Sequence, residues 1–468
     1  MPKFIVGLLI IIIGVSAFQF YTSVTETPPI WKTTIEDKIY SESQIVNGNV
    51  VFLAGNKSRN LYKLYELDRD GKQVCIPKQL PNFPYDPLIV GKTMVVADKA
   101  RMVRGFGLPG LNIEWEVGSN DPLPMGPKKC GKDNFIQASG KSAVYCFEAK
   151  SGKQLWDIQL YDDFRNYACD KVIIIIHGYP DQTSPMYKCT AYDLEEGMEI
   201  WTLKEVYVSA YNPVFVKNFV VLSTPEGEVL LVDQLSGEIK FRNGKNGFIP
   251  TKGFEDGCLM VSKDYSTAAY LSLQTGNSWT VPLTKELIGA AQIGSRVMIA
   301  DKENLICYDA DLGETIWKSK LGDIYEAYEY RNGIFVSYKD YFTARETYGA
   351  YIEANSSKNV WTAIARGTFK RPCPTNIGDF LICQDGSVRM MPKPKTTSSS
   401  NMSLPVVTMP DPMAKDPTEK INKAFNEKAA KAASPTAGIQ VQKQETKKQA
   451  DNEIPKELAP VSDEDAGW

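Results

Sequence analysis

One pattern returns along this chain at intervals of about 40 residues. It is an apolar run, then an acidic or polar residue, a short turn ending in glycine, and a short segment ending in tryptophan. The clearest copies are 146–156, with Gly152 and Trp156; 192–201, with Asp193, Gly197 and Trp201; and 308–317, with Asp309, Gly313 and Trp317. A weaker copy, 232–241, keeps Asp233 and Gly237 but closes on Phe241. More degenerate copies hold Gly276 and Trp279, Gly110 and Trp115, Trp361 alone, and Asp68 with Gly71. A unit this short cannot cover its own apolar faces, so a chain that repeats it must stack the copies on one another.

Between the turns lie runs of β-branched and other apolar residues, such as 50–52, 94–96, 172–176, 220–222, 297–299 and 334–336, each bounded by Gly, Asn, Asp or Lys. Runs bounded in this way read as antiparallel hairpins. Four short strands per repeat is the unit of a β-propeller blade, and a continuously apolar strand fits one covered on both sides by adjacent blades. The glycine is expected to supply the positive φ of the turn between the third and fourth strands. The tryptophan is expected to pack between blades. Asp193, Asp233 and Asp309 recur once per repeat, which assigns them to holding turn amides rather than to chemistry. Gly152, Trp156, Gly197, Trp201, Gly237, Gly276, Trp279, Gly313, Trp317 and Trp361 therefore form, with these aspartates, a structural blade-locking set.

The ends of the repeat region match each other. Residues 30–33, containing Trp31, resemble the outer strand at 316–319, while 376–389 begin a blade that lacks its outer strand. Pairing them would close the ring through Trp31 and remove both free edges. The expected fold is thus all-β, a single propeller over residues 30–391. It has about eight four-stranded blades; counting the central hairpins with the composite gives nine. Eight is preferred because one of the first two repeats is degenerate.

The signature resembles the tryptophan-docking repeat of pyrroloquinoline-quinone-type propellers, over roughly residues 30–392. Two classes of that superfamily bear on function. Its quinoprotein dehydrogenases hold the quinone over a calcium ion and beside a disulfide of adjacent cysteines; no two cysteines are adjacent in this chain. Its other class is the non-catalytic BamB-type scaffold of the outer-membrane β-barrel assembly machine. This chain resembles that scaffold in size and in the pairing of its ends, but it lacks a lipid-anchor cysteine. The resemblance implies a non-enzymatic scaffold that binds proteins through propeller loops, without a cofactor, in envelope protein assembly. The alternative is a quinone- or sugar-binding enzyme that uses the central funnel.

Composition narrows the chemistry. The chain of 468 residues carries 53 basic and 56 acidic side chains, for a net charge of −3, which excludes an electrostatic nucleic-acid binder. Its one histidine, His177, ends an apolar run before Gly178 and reads as a strand-end or turn residue. Triads and multi-histidine zinc sites are thereby excluded. Nine cysteines are present. Cys130 with Cys146, and Cys169 with Cys189, flank successive hairpins; each pair is either a disulfide or two separate buried thiols. Gly105, Gly107 and Gly110 mimic a dinucleotide fingerprint, but Pro109 breaks any helix after it, so they read as a β-turn.

Residues 1–21 read as a signal peptide or membrane anchor: Lys3, then an uncharged apolar run from Phe4, with Val15, Ser16 and Ala17 at peptidase spacing. The expected location is exported, anchored with the body facing the periplasm or extracellular side. A cleaved signal is the alternative. Residues 392–468 lose their aromatics and gain Pro, Lys, Ser and Ala, the composition of a disordered tail. Within it, Asp416, Pro417 and Glu419 carry helix-start signals, and Ile421, Phe425 and Ala429 share a face of a short helix over 417–433. That helix is either a partner-docking element or part of a spacer.

Overall fold

The computed structural model describes residues 25–394 apart from 83, 141, 179–185, 245–246, 274 and 340–344. The expected anchor at 1–21, the helix at 417–433 and all but the first residues of the tail lie outside these. Among the described residues, 37 strands form nine antiparallel sheets, each a blade of a closed propeller. The count is nine rather than the preferred eight because both degenerate early repeats form full sheets. The first spans Lys38–Ile39 to Lys78–Leu80 and the second Leu88–Val90 to Asn112–Gly118.

The third blade shows the common plan: Lys128–Cys130, Asn134–Ser139, Ala143–Glu148 and Gln154–Gln159 form a meander from the inside of the ring outward. First strands of neighbouring blades touch one another, as Lys128–Cys130 touches both Leu88–Val90 and Phe164–Cys169. Fourth strands form the rim, and Thr315–Lys320 alternates exposed and half-buried residues. Middle strands are covered on both sides. In Ile173–His177 all five residues are buried.

The apolar run of this middle strand is continuous because alternate residues serve different cores. Ile174 and Ile176 pack with Val220 and Leu222 of the fifth blade. Ile173 and Ile175 pack with Ile136 and Val144 of the third. Each fully buried isoleucine contributes on the order of 1.5–3 kcal/mol, and these side chains are buried between blades, so each blade draws its core from its neighbours.

The ninth blade is made from both ends of the described chain. Trp31–Thr34 pairs with Ser387–Pro392, placing Trp31 opposite Met390 and Thr34 opposite Ser387. Upstream of this strand, Thr27 donates its backbone N–H to Thr362 at 2.8 Å and Ile30 donates to Met390 at 2.7 Å. Arg389, 1 % exposed, is held there by the Glu26 carboxylate and donates to the Ile364 carbonyl at 2.5 Å. A buried guanidinium without such partners would be costly, so residues 26–34 complete the eighth and ninth blades together.

Candidate functional site

At the seams between blades, tryptophans from one outer strand lie on the glycine turn of the next blade. A Cβ placed on Gly237 would fall 2.7 Å from the Trp201 ring. The same approach brings Trp31 onto Gly71, Trp115 onto Gly152, Trp156 onto Gly197 and Trp279 onto Gly313. The turn glycines at 152, 197, 237, 276 and 313 have φ between 67° and 73°, so backbone conformation requires glycine. At the four of these that are docked, the ring requires it as well. The indole N–H then donates to a carbonyl within the same turn: Trp31 to Arg69, Trp115 to Ala149, Trp201 to Gln234 and Trp279 to Ala310, at 2.8–2.9 Å.

Three tryptophans depart from this arrangement. Trp156 lies on Gly197, but its buried indole N–H has no hydrogen-bond partner among the described residues. Trp317 donates to the Ala354 carbonyl at 2.9 Å, in a turn where Ser357 takes the positive φ instead of glycine. Trp361 is 2 % exposed and packs against Tyr330, Phe335 and Tyr351 of its own blade. The ninth blade has no continuous turn from third to fourth strand on which it could dock, because its fourth strand arrives from the N-terminal segment. Gly276 has φ 72° in the sixth blade's turn, where Phe241 of the preceding outer strand is buried beside Cys258 and Met260.

A bulge precedes most of these positions, although Trp279 docks without one. In six blades the pairing of third and fourth strands skips the residue just before the docking position: Glu114, Leu155, Ile200, Lys240, Ile316 and Val360. The extra residue bends the outer strand and turns the next side chain toward the seam. It also leaves Leu155, Ile200 and Ile316 exposed on the rim.

The recurring carboxylates face their own turns. Asp193 accepts from the Glu195 and Glu196 amides, Asp233 from Leu235 and Ser236, and Asp309 from Asp311 and Leu312. The Ser236 amide is the main cause that holds the Asp233 carboxyl below its usual range. His177 lies at a strand end, 9 % exposed, with Nε2 3.0 Å from the Thr190 hydroxyl and Nδ1 3.5 Å from Asp162. Burial pushes its pKa down, so the ring is neutral at neutral pH. All nine cysteines are free thiols. Cys169 faces the core between the third and fourth blades, and Cys189 faces the one between the fourth and fifth, so those two do not meet.

The inner strands carry charge that sequence reasoning missed. Lys128 donates to the Tyr167 carbonyl of the next blade. Lys252 donates to the Ala290 carbonyl at 2.5 Å and lies 3.6 Å from Glu329, spanning three blades. Burial lowers the pKa of both lysines. Lys370 pairs with Glu326 at 3.1 Å, and Glu326 accepts the Tyr328 hydroxyl at 2.6 Å. Glu42 joins this group. Burial raises its pKa first of all, with Asp86 and Glu326 adding and Arg371 and Lys370 opposing. The first strands differ in length and sequence from blade to blade, from Lys128–Cys130 to Asp323–Tyr330, so no repeated spacing flagged these residues.

Fold and seams together define a nine-bladed β-propeller whose blades are locked by tryptophans lying on the turns of their neighbours. Residues 102–248 match the family model described as outer membrane protein assembly factor BamB. No curated protein matches the chain. Among solved structures, BamB from Moraxella catarrhalis is similar at 14 % identity and a TM-score of 0.46, covering 66 % of this chain and 96 % of that one. The computationally designed Ika8 protein is similar at 12 % identity and a TM-score of 0.47, covering 66 % and 96 %. Saccharomyces cerevisiae Sqt1 is similar at 11 % identity and a TM-score of 0.46, covering 79 % and 100 %. Among the described residues no helix is long and apolar enough to cross a membrane.

Two predictions follow from this geometry. Gly237→Ala introduces both backbone strain and ring overlap, and should lower stability by about 1–3 kcal/mol. Gly131→Ala, at φ 65° with open space around the new Cβ, should cost less. In urea unfolding, Gly237→Ala should be less harmful in a Trp201→Ala background than in the native chain. The second prediction concerns Glu42. Its folded pKa is raised, so the native state holds the proton more tightly than the unfolded chain. Stability therefore falls as pH rises from the ordinary value of 4.5 through the raised one, and stays lower above it. Glu42→Gln should raise the urea midpoint at neutral pH and leave it unchanged below pH 4.5.

Proposed function

We propose that this chain is a non-enzymatic scaffold, exported and tethered to a membrane through residues 4–21, that binds protein partners in envelope protein assembly. The match of residues 102–248 to the BamB family model supports the setting. The observation that carries the binding role is a loop face over the fourth and fifth blades. Tyr161 is 98 % exposed there, and Met186, Tyr207 and Tyr211 are also exposed.

These loops are tied to one another. Val208 donates its amide to the Tyr187 carbonyl at 2.8 Å, Gly178 donates to Asp163 at 2.9 Å, and Asn166 donates to the Asn212 side chain at 2.6 Å. Tyrosine presents a large amphipathic area at small entropic cost, which suits a protein interface. The Trp–Gly seams act in this reading as the locks that keep the face rigid, and the tail from residue 392 reaches for a second partner. The repeated aspartates are occupied by turn amides, which favours binding over catalysis.

Affinity capture of the full chain from membranes of the native host, read by cross-linking, should return an envelope assembly complex. Tyr161→Ser with Tyr207→Ser should reduce capture at least tenfold while leaving the unfolding midpoint within error. Saturable quinone binding in the presence of calcium, together with dye-linked alcohol oxidation, would overturn the scaffold reading in favour of a funnel enzyme.

A further inference from the structure

Three thiols from three strands meet in the core between the third and fourth blades. Cys130 ends the inner strand Lys128–Cys130, Cys146 lies on the third strand of the same blade, and Cys169 ends the inner strand Phe164–Cys169 of the next. Interaction with Cys146 and Cys169 pulls the Cys130 thiol below its ordinary range, and the same interaction together with burial pushes the Cys146 and Cys169 thiols up. Cys130 and Cys146 are buried, whereas Cys169 is half-buried and the one nearest solvent.

Sheet geometry decides which pair can bond. Cys130 and Cys146 are separated by the strand Asn134–Ser139, so two strand spacings put their Cα atoms about 9–10 Å apart. A disulfide closes only when that separation is below about 7 Å. No strand intervenes between Cys130 and Cys169, because the two inner strands touch directly. Their register is fixed two residues away: Lys128 donates to the Tyr167 carbonyl, and the Tyr167 hydroxyl donates to Gly126 at 3.1 Å. Along an extended strand, residues two apart share a face, and Cys130 and Cys169, each two residues beyond this contact, pack in the same core between the blades.

We propose that Cys130 and Cys169 form a redox pair that closes into a disulfide stapling the inner strands of the third and fourth blades, with Cys146 remaining a thiol. The oxidant is a low-molecular-weight disulfide such as oxidised glutathione. The Cys169 thiol, reached first from solvent, gives its proton to water as its sulfur attacks one glutathione sulfur and expels glutathione thiolate, which takes up a proton. The Cys130 thiolate then attacks the Cys169 sulfur, expelling a second glutathione. Two protein thiols lose two electrons and two protons, and one glutathione disulfide becomes two thiols.

The full chain, purified reduced and then incubated with excess oxidised glutathione, tests this by thiol counting after denaturation and by non-reducing peptide mapping. The expected result is two fewer titratable thiols and one cross-linked peptide pair joining Cys130 to Cys169. Reductant should restore all nine thiols. Cys146→Ser should leave the cross-link intact, and Cys169→Ser should abolish it without changing the unfolding midpoint of the reduced protein by more than a few degrees. The oxidised native chain should melt a few degrees above the reduced one. Persistence of nine thiols, a stable glutathione adduct at Cys169, or a cross-link through Cys146 or Cys189 would overturn the proposal.

Discussion

The pairing of Trp31–Thr34 with Ser387–Pro392 is the contact on which the ring depends. Every blade shares its apolar faces with two neighbours, so a ring open at one seam would expose two faces and two strand edges at once. The N-terminal strand closes that seam with backbone hydrogen bonds, and Glu26 supplies the counter-charge for Arg389 inside it. Trp31 then continues outward onto Gly71 and the Arg69 carbonyl of the first blade. One short segment thereby fastens the eighth, ninth and first blades.

Much of this was legible in the sequence because the seams impose chemistry at fixed positions. A glycine at φ near 70° under an indole ring tolerates no other side chain, so Gly152, Gly197, Gly237 and Gly313 recur visibly. Continuous apolar runs such as 172–176 announced strands covered on both sides. The composite blade was readable from the likeness of 30–33 to 316–319. The tying of the first blade to the second was hidden. There Glu66 accepts the Gly110 amide at 2.7 Å, and Leu80 packs with Phe106 and Leu108 in place of a docked tryptophan. This substitution of a side-chain hydrogen bond for an aromatic lock is what makes that repeat degenerate in sequence.

The axial charges and the thiol cluster were illegible for a different reason. Both depend on which inner-strand residues face each other across a seam, and first strands such as Lys128–Cys130 are only three residues long. Cys130 and Cys169 lie one repeat apart and end the first strands of successive blades, but nothing in the sequence shows that those strands touch; only the stacking of blades brings the two together. The exposed tyrosines at 161, 207 and 211 sit in loops of unequal length, which the repeat does not constrain. Periodicity thus encodes the ring, whereas the exposed tyrosines offered for binding lie where periodicity lapses.

Hydrogen exchange of the native chain tests the closed ring most directly. If residues 26–34 are the closing strand, the amides of 31–34 exchange as slowly as those of the partner strand 387–392, and both groups lose protection together as denaturant rises. Rapid exchange at 31–34 while 387–392 remains protected would contradict the account, because the ring would then be closed without its N-terminal strand.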